Sequence, residues 1–351
     1  MSHARPDLTQ LPPAVREYIE YLEAEVERLR PVRRQRLVTT AEEEPAAPLP
    51  PLEPDEPPTT INMIALTASG LAKRTPRHLY SRQHRGGMGI FDIEIPENDP
   101  ITGLVNADVS QSLLLFTNLA RAFRLPVNLI SETPVRGRGQ AFTAKINLLE
   151  DEHFVAVIPD EARGAVALVS QSGFVRYLRH HVFGEYMKPG TTMFDARKHG
   201  GLAGVCRTPG DGDLLIVTRH GKGIRFPEKL IPPQGGAGIR AEAGDHIIAI
   251  AAVDDDSRVF LADADGRGTL RLMSSFTANK SAGGGGKNIM NCDQLITAVT
   301  VGEEDDIFMI SRLSKIIRFK GAEVPVKDSA VQGVNCMALR GDEVVAVERA
   351  K

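Results

Sequence analysis

Cysteine is scarce in this chain, and the way it is scarce is informative. The 351 residues hold three cysteines, Cys206, Cys292 and Cys336, an odd number set far apart with no Cys-x-x-Cys pair. That pattern argues against a disulfide framework or a cysteine metal site and leaves small buried apolar side chains as the reading. Long apolar runs are lacking as well. Nothing after Met1 reads as a signal peptide, and no stretch approaches the ~18 residues that a membrane span needs. A cytoplasmic protein without membrane contact is expected. Strong net charge is also missing: the formal charge is −3, divided into −5 over residues 1–60 and +2 over residues 61–351. A nearly neutral body binds an acidic polymer only where its positive charges are clustered.

Signatures of catalysis are absent too. Residues 283–287 read Gly-Gly-Gly-Gly-Lys, but Asn288 follows the lysine where a phosphate-binding P-loop needs Ser or Thr, and Ser281 stands where its first glycine should be. The nine histidines are scattered, and the adjacent His180 and His181 have no ligand at metal-binding spacing. The acidic runs 150–152, 254–256 and 303–306 fall between apolar strands and read as solvated turn tips rather than an acid/base pair. No catalytic residue, metal or cofactor is expected.

What the chain does contain is organised in three parts. Residues 1–38 carry Val15, Ile19, Leu22, Val26 and Leu29 at alternating spacings of four and three, the seam of an amphipathic helix started by Pro12 and Pro13. Such a seam packs on a neighbour or forms a short homodimeric coiled coil through residues 15–29. Residues 39–59, with Glu42, Glu43, Glu44 and repeated proline, read as an extended acidic linker.

From residue 60 to 351 the sequence repeats itself. An apolar strand, a turn and a strand bearing a basic residue recur, with Arg74, Arg124, Arg176, Arg225, Arg271 and Arg318 separated by 50, 52, 49, 46 and 47 residues. In step with them runs a small residue before a branched one: Gly103-Leu104, Ala156-Val157, Gly204-Val205, Ala249-Ile250, Ala298-Val299 and Ala346-Val347. Glycine-bearing loops separate the units, at residues 83–89, Arg136-Gly137-Arg138-Gly139, Pro189-Gly190, residues 234–238, residues 283–287 and Gln332-Gly333. Six such units predict an all-β, closed six-bladed ring. The last copy of the small-branched element has nothing after it, so the C-terminal strand is expected to complete the first blade and close the ring.

The loop Gln83-His84-Arg85-Gly86-Gly87-Met88-Gly89 resembles the box in the first blade of the gyrase A C-terminal β-pinwheel, which reads Gln, basic, Arg, Gly, Gly, basic, Gly. Gln83, Arg85, Gly86, Gly87 and Gly89 match, while His84 and Met88 depart. Further likeness lies in residues 69–76, residues 113–118 and Arg225-Phe226. The resemblance implies a propeller-like pinwheel that bends or wraps double-stranded DNA on its basic rim, in association with a gyrase or topoisomerase core. Its implied contacts are Lys73, Arg74, Arg77, Arg85, Arg121, Arg124, Arg136, Arg138, Arg176, Arg225, Arg271 and Arg318. An uncharged Met88 cannot hold a phosphate, so bending is expected over full wrapping. None of the five tyrosines, Tyr18, Tyr21, Tyr80, Tyr177 and Tyr186, stands in the context of a DNA-attacking tyrosine, and the ring is expected to work without a cleavage core of its own, as a non-enzyme. The alternative is a protein-interaction ring partnered through the N-terminal helix.

Overall fold

A computed structural model describes residues 15, 19–20, 56–142 and 146–351. Val15, Ile19 and Glu20 are helical; the rest of the heptad seam, with the dimer contact expected of residues 15–29, and the linker up to residue 55 lie outside the described residues.

Each repeat forms a two-stranded hairpin of apolar residues that receives an inner strand from farther along the chain and, in the first five blades, an outer two-residue strand from farther along as well. In the first blade the hairpin Ile61–Thr67 and Leu71–Pro76 takes Ile101–Asp108 on its inner side and Gln140–Ala141 on its outer side. The same order builds the next four blades on the hairpins Ser112–Thr117 with Arg121–Pro126, Ala165–Ser170 with Phe174–Arg179, Asp213–Thr218 with Lys222–Pro227, and Arg258–Asp263 with Arg267–Leu272, the last of which pairs outside with both Val334–Asn335, antiparallel, and Val326–Lys327, parallel. The sixth joins Asp306–Ser311 and Lys315–Lys320 to Val344–Ala350 inside and Ile90–Phe91 outside.

This order corrects the expected closure. The C-terminal strand Val344–Ala350 pairs with Asp306–Ser311 in its own blade, and the first hairpin is completed by Ile101–Asp108. The ring closes instead through the first glycine loop: Ile90 and Phe91 pair with Ile316 and Lys315 of blade six. The apolar cores report the same closure. Six clusters of buried side chains lie between successive blades, and the one containing Met63, Ala65, Tyr80, Phe308 and Ile310 joins the sixth blade to the first.

Both recurring sequence elements have a local cause. The first hairpin strand ends in Thr67, Thr117, Ser170, Thr218, Asp263 or Ser311, and each side-chain oxygen accepts the backbone N–H four residues on, tying the turn. The small residue lies on the inner strands, which surround an axial cavity of about 780 Å³. A Cβ on Gly103 would stand 2.7 Å from Val157 Cγ1, and one on Gly204 would stand 3.1 Å from Ala249 Cα. Neighbouring inner strands can approach this closely only over a minimal side chain.

Asp263 is the one charged member of the turn-tying series. Burial pushes its carboxyl up to about 6, against the hydrogen bond from the Arg267 N–H, which lowers it. The folded protein therefore holds a proton that the unfolded chain releases, and stability is lost as pH rises from about 4 to about 6. Asp263→Ser, which copies Ser311, is expected to raise stability at pH 7.5 by on the order of 2 kcal/mol, with the gain vanishing toward pH 4 in denaturant titrations.

The acidic runs are not uniformly solvated tips. Glu152, Asp305 and Asp306 are buried, Glu152 accepting from Thr117 Oγ1 and from the Leu149 N–H. Cys336 is buried in the core between blades five and six, while Cys206 and Cys292 are half-buried against neighbouring cores. Burial pushes the Cys292 and Cys336 thiols up to about 12, so they pack as small apolar groups.

Candidate nucleic-acid interface

The recurring strand arginines do not form a surface stripe. Lys73, Arg74, Arg77, Arg225, Arg271 and Arg318 are all buried, at 8% exposure or less. Most of them serve as brackets between blades. Arg74 donates through Nε to the Ile130 carbonyl of the second blade, at 2.8 Å, and through Nη1 to Asn62. Arg225 reaches the Met273 carbonyl of the fifth blade at 2.7 Å and pairs with Asp213 and Asp255. Arg318 crosses the closing seam to the Arg77 and Tyr80 carbonyls and pairs with Asp306 and Glu56. The register explains the burial: a strand residue at this position points toward the next blade, whose short turn offers carbonyls that need donors.

Lys73 is fully enclosed, donating to Asp92 at 2.7 Å and to Thr75 and Tyr80. Arg77 pairs with Glu56 and donates to the Lys351 carbonyl. Glu56, assigned to the linker by composition, is thus part of the seam, and the Arg77 and Arg318 guanidiniums overcome its burial to hold its carboxyl below the usual range. Arg121 is half-buried against Glu152 and the Gly190 carbonyl. Arg176, half-buried, lacks a hydrogen-bond partner at Nε, and Arg271, buried, lacks one at Nε and Nη1; the other residues are kept from a phosphate-contacting surface by burial or by an existing partner.

The box loop has a structural task as well. The Gln83 N–H donates to the Arg318 carbonyl, the Gly86 N–H to the Cys336 carbonyl, and the Ala338 N–H to the Gly87 carbonyl. Arg85 donates through Nε to the Glu323 carbonyl at 2.8 Å and through its own N–H to the Glu323 carboxylate, and His84 Nδ1 faces that same carboxylate at 3.3 Å. Gly89 has φ of +67°, and a Cβ there would lie 2.6 Å from the Ile316 carbonyl oxygen. The glycines let residues 83–89 lie flat on blade six, while Met88 is exposed.

Exposed positive charge recurs in the links that carry the chain to the outer strand of each blade, besides residues such as Arg163, Arg267 and Arg312 in the hairpins and turns. Arg136 and Arg138 precede the outer strand of the first blade, and Arg138 is 84% exposed with a loose contact to Glu94 at 3.7 Å. Lys188 precedes the outer strand Thr191–Thr192, Arg240 follows the outer strand Gly236–Ala237, and Lys287 lies in the outer strand of blade four. Lys280 and Lys327 occupy the fifth and sixth links. All are exposed, and apart from Arg138 none makes an ion pair among the described residues. Arg124 keeps a partly exposed side chain beside Asp160 at 2.6 Å, where His180 Nε2 also lies 2.6 Å from that carboxylate. Lys188, Arg240, Lys280, Lys287 and Lys327 were not evident from the regular repeat, because the links differ in length. Their signal is a basic residue within a few places of each link glycine.

A ring of six blades, each taking its outer strand from a later link and sealed through the first, is a closed six-bladed β-propeller of the pinwheel kind. The family model described as DNA gyrase C-terminal domain, beta-propeller, matches residues 62–108, 111–159, 212–254 and 305–351, more than half of the chain. The chain belongs to that family. It is 25% identical over 304 residues to the DNA gyrase A protein of Mycobacterium leprae (strain TN), covering 82% of this chain and 24% of that protein. It is 27% identical over 294 residues to the DNA gyrase A protein of Haloquadratum walsbyi, covering 79% of this chain and 34% of that one. The chain thus spans between a quarter and a third of the curated relatives it matches. A solved DNA gyrase A C-terminal domain superposes with a TM-score of 0.68 at 18% identity, over 82% of this chain and 99% of that one. The C-terminal domain of DNA topoisomerase IV gives 0.59 at 20% identity, over 83% and 93%. Among the described residues no helix is long and apolar enough to cross a membrane, and no group of three potential ligands could hold a metal ion.

Proposed function

We propose that the ring binds duplex DNA along its perimeter without base recognition and bends it, as a cytoplasmic, nucleoid-associated partner of a gyrase or topoisomerase core. One observation carries this reading: every link from the second to the sixth places at least one exposed cation beside the outer strands, and Arg85 in the first link is half-exposed. Cations spaced around an edge contact successive phosphates and gain by counterion release. A duplex resists bending at a cost of order 1–6 kcal/mol for a short site, so only contacts distributed along an arc hold it curved. Family membership supports the same ligand. Bending rather than complete wrapping is favoured because the box supplies little free charge: Arg85 and His84 are turned to Glu323, and Met88 is neutral. The ring's own contribution is mechanical, with strand passage left to a catalytic core.

A mobility-shift titration with random-sequence duplex of ~150 base pairs, about one persistence length, tests this. Retardation at low ionic strength that is equal for unrelated sequences and disappears as salt rises is the expected result. Absence of retardation even at low salt would leave a protein-interaction ring in its place.

A further inference from the structure

Among the strand arginines, Arg271 in blade five stands apart. It is 5% exposed, yet its Nε and Nη1 are both buried without any hydrogen-bond partner. The reason is visible in the register. Arg225 lies opposite Leu215, and its Nε is met by Asp213, two residues before that partner. Arg318 lies opposite Phe308, and its Nε is met by Asp306, again two residues before. Arg74 lies opposite Ile64 and finds Asn62 at the same place. Arg271 lies opposite Val259, and the residue two before is Ser257, whose hydroxyl is turned to Asp254. The carbonyl contacts that Nη1 of Arg225 and Arg318 make with the next blade are missing as well.

Guanidinium N–H groups held at Nε and Nη1 away from water without an acceptor are unfavourable, and the Phe276 ring, 5.9 Å away, offsets only part of that. Burial pushes the Arg271 pKa down, against the field of Asp328, which makes no hydrogen bond to it. In blade three the corresponding place is Val166, but Arg176 is half-buried and keeps access to water. The unmet demand is therefore concentrated in blade five. Ser257 is shorter than the aspartates of blades four and six, so the place of their carboxylate is not taken by its side chain. Lys327, exposed on the link, is the register partner of Arg271 in a parallel pairing and brings a second cation to the same edge.

We propose that blade five holds an oxyanion site in which Arg271, with Lys327 at its mouth, takes a phosphate group in place of the internal carboxylate that blades four and six supply. A guanidinium offers paired N–H donors suited to a tetrahedral oxyanion. The phosphate is either a free anion or a backbone phosphate of the duplex; only the second source rests on the DNA-binding reading.

Thermal unfolding at fixed ionic strength, with chloride exchanged for about 20 mM inorganic phosphate, tests the site without DNA. Wild-type protein is expected to gain about 2 °C or more. Ser257→Asp, which restores the carboxylate, is expected to melt higher than wild type in phosphate-free buffer and to gain nothing from phosphate; Arg271→Met is expected to gain nothing either. A wild-type protein indifferent to phosphate, or a Ser257→Asp variant that gains as much as wild type, overturns the site whether or not the ring binds DNA. Salt titration of duplex binding then separates the sources. A slope reduced by about 1 in Ser257→Asp marks a backbone phosphate, and an unchanged slope beside a lost phosphate response marks a free anion.

Discussion

Arg318→Ala is expected to destabilise the ring by about 3–5 kcal/mol, the range for removing one partner of a buried ion pair, and to leave the salt dependence of duplex binding unchanged. The side chain is 3% exposed and spans the seam, pairing with Asp306 within its blade and with Glu56, and donating to the carbonyls of Arg77 and Tyr80 in the first blade. Its loss leaves Asp306, 4% exposed, facing Arg82 Nε, takes the Arg318 donor from the Tyr80 carbonyl, and leaves the Arg77 carbonyl with the Tyr80 N–H alone. Because the ring has a single seam between its first and sixth blades, the change should lower the cooperativity of unfolding as well as its midpoint. Urea titrations followed by far-UV circular dichroism read both. A variant as stable as wild type would mean that the seam is held by the apolar core around Tyr80 and Phe308 alone.

This expectation reverses the role that spacing alone suggested for Arg318 and its fellows, and the reversal has a physical cause. One basic residue per unit was legible because it recurs at one register position of the hairpin, where Arg74, Arg225 and Arg318 bracket the next blade. Its burial was not, because whether an arginine faces solvent or a neighbour depends on groups hundreds of residues away in sequence, such as Glu56 for Arg318. The number of blades and the all-β class were legible for the opposite reason. Hairpin patterning and the small residue of the inner strand are local requirements met six times over. The closure was misplaced because the inner-strand copies at Gly103-Leu104 and Ala346-Val347 read alike, and only pairing shows that each joins the hairpin before it. In the box, glycine was legible as a sharp turn, but the Ile316 carbonyl that requires Gly89 lies on the last blade. The link cations escaped the repeat because nothing in the fold fixes their spacing; Arg138 precedes its outer strand and Arg240 follows its own.

The proposed division between structural arginines and DNA-contacting link cations is open to one direct measurement: the slope of log K against log salt for duplex binding by the Arg136→Gln, Arg138→Gln, Lys188→Gln, Lys287→Gln variant. These four side chains are exposed, belong to three different links and anchor no blade, so their loss should leave the melting temperature within a degree or two of wild type. If each meets a phosphate, the slope becomes shallower by about 3 to 4, at roughly 0.9 per contact, and affinity at moderate salt falls by several orders of magnitude. A folded variant that keeps the wild-type slope and affinity would contradict the assignment of the DNA path to the links.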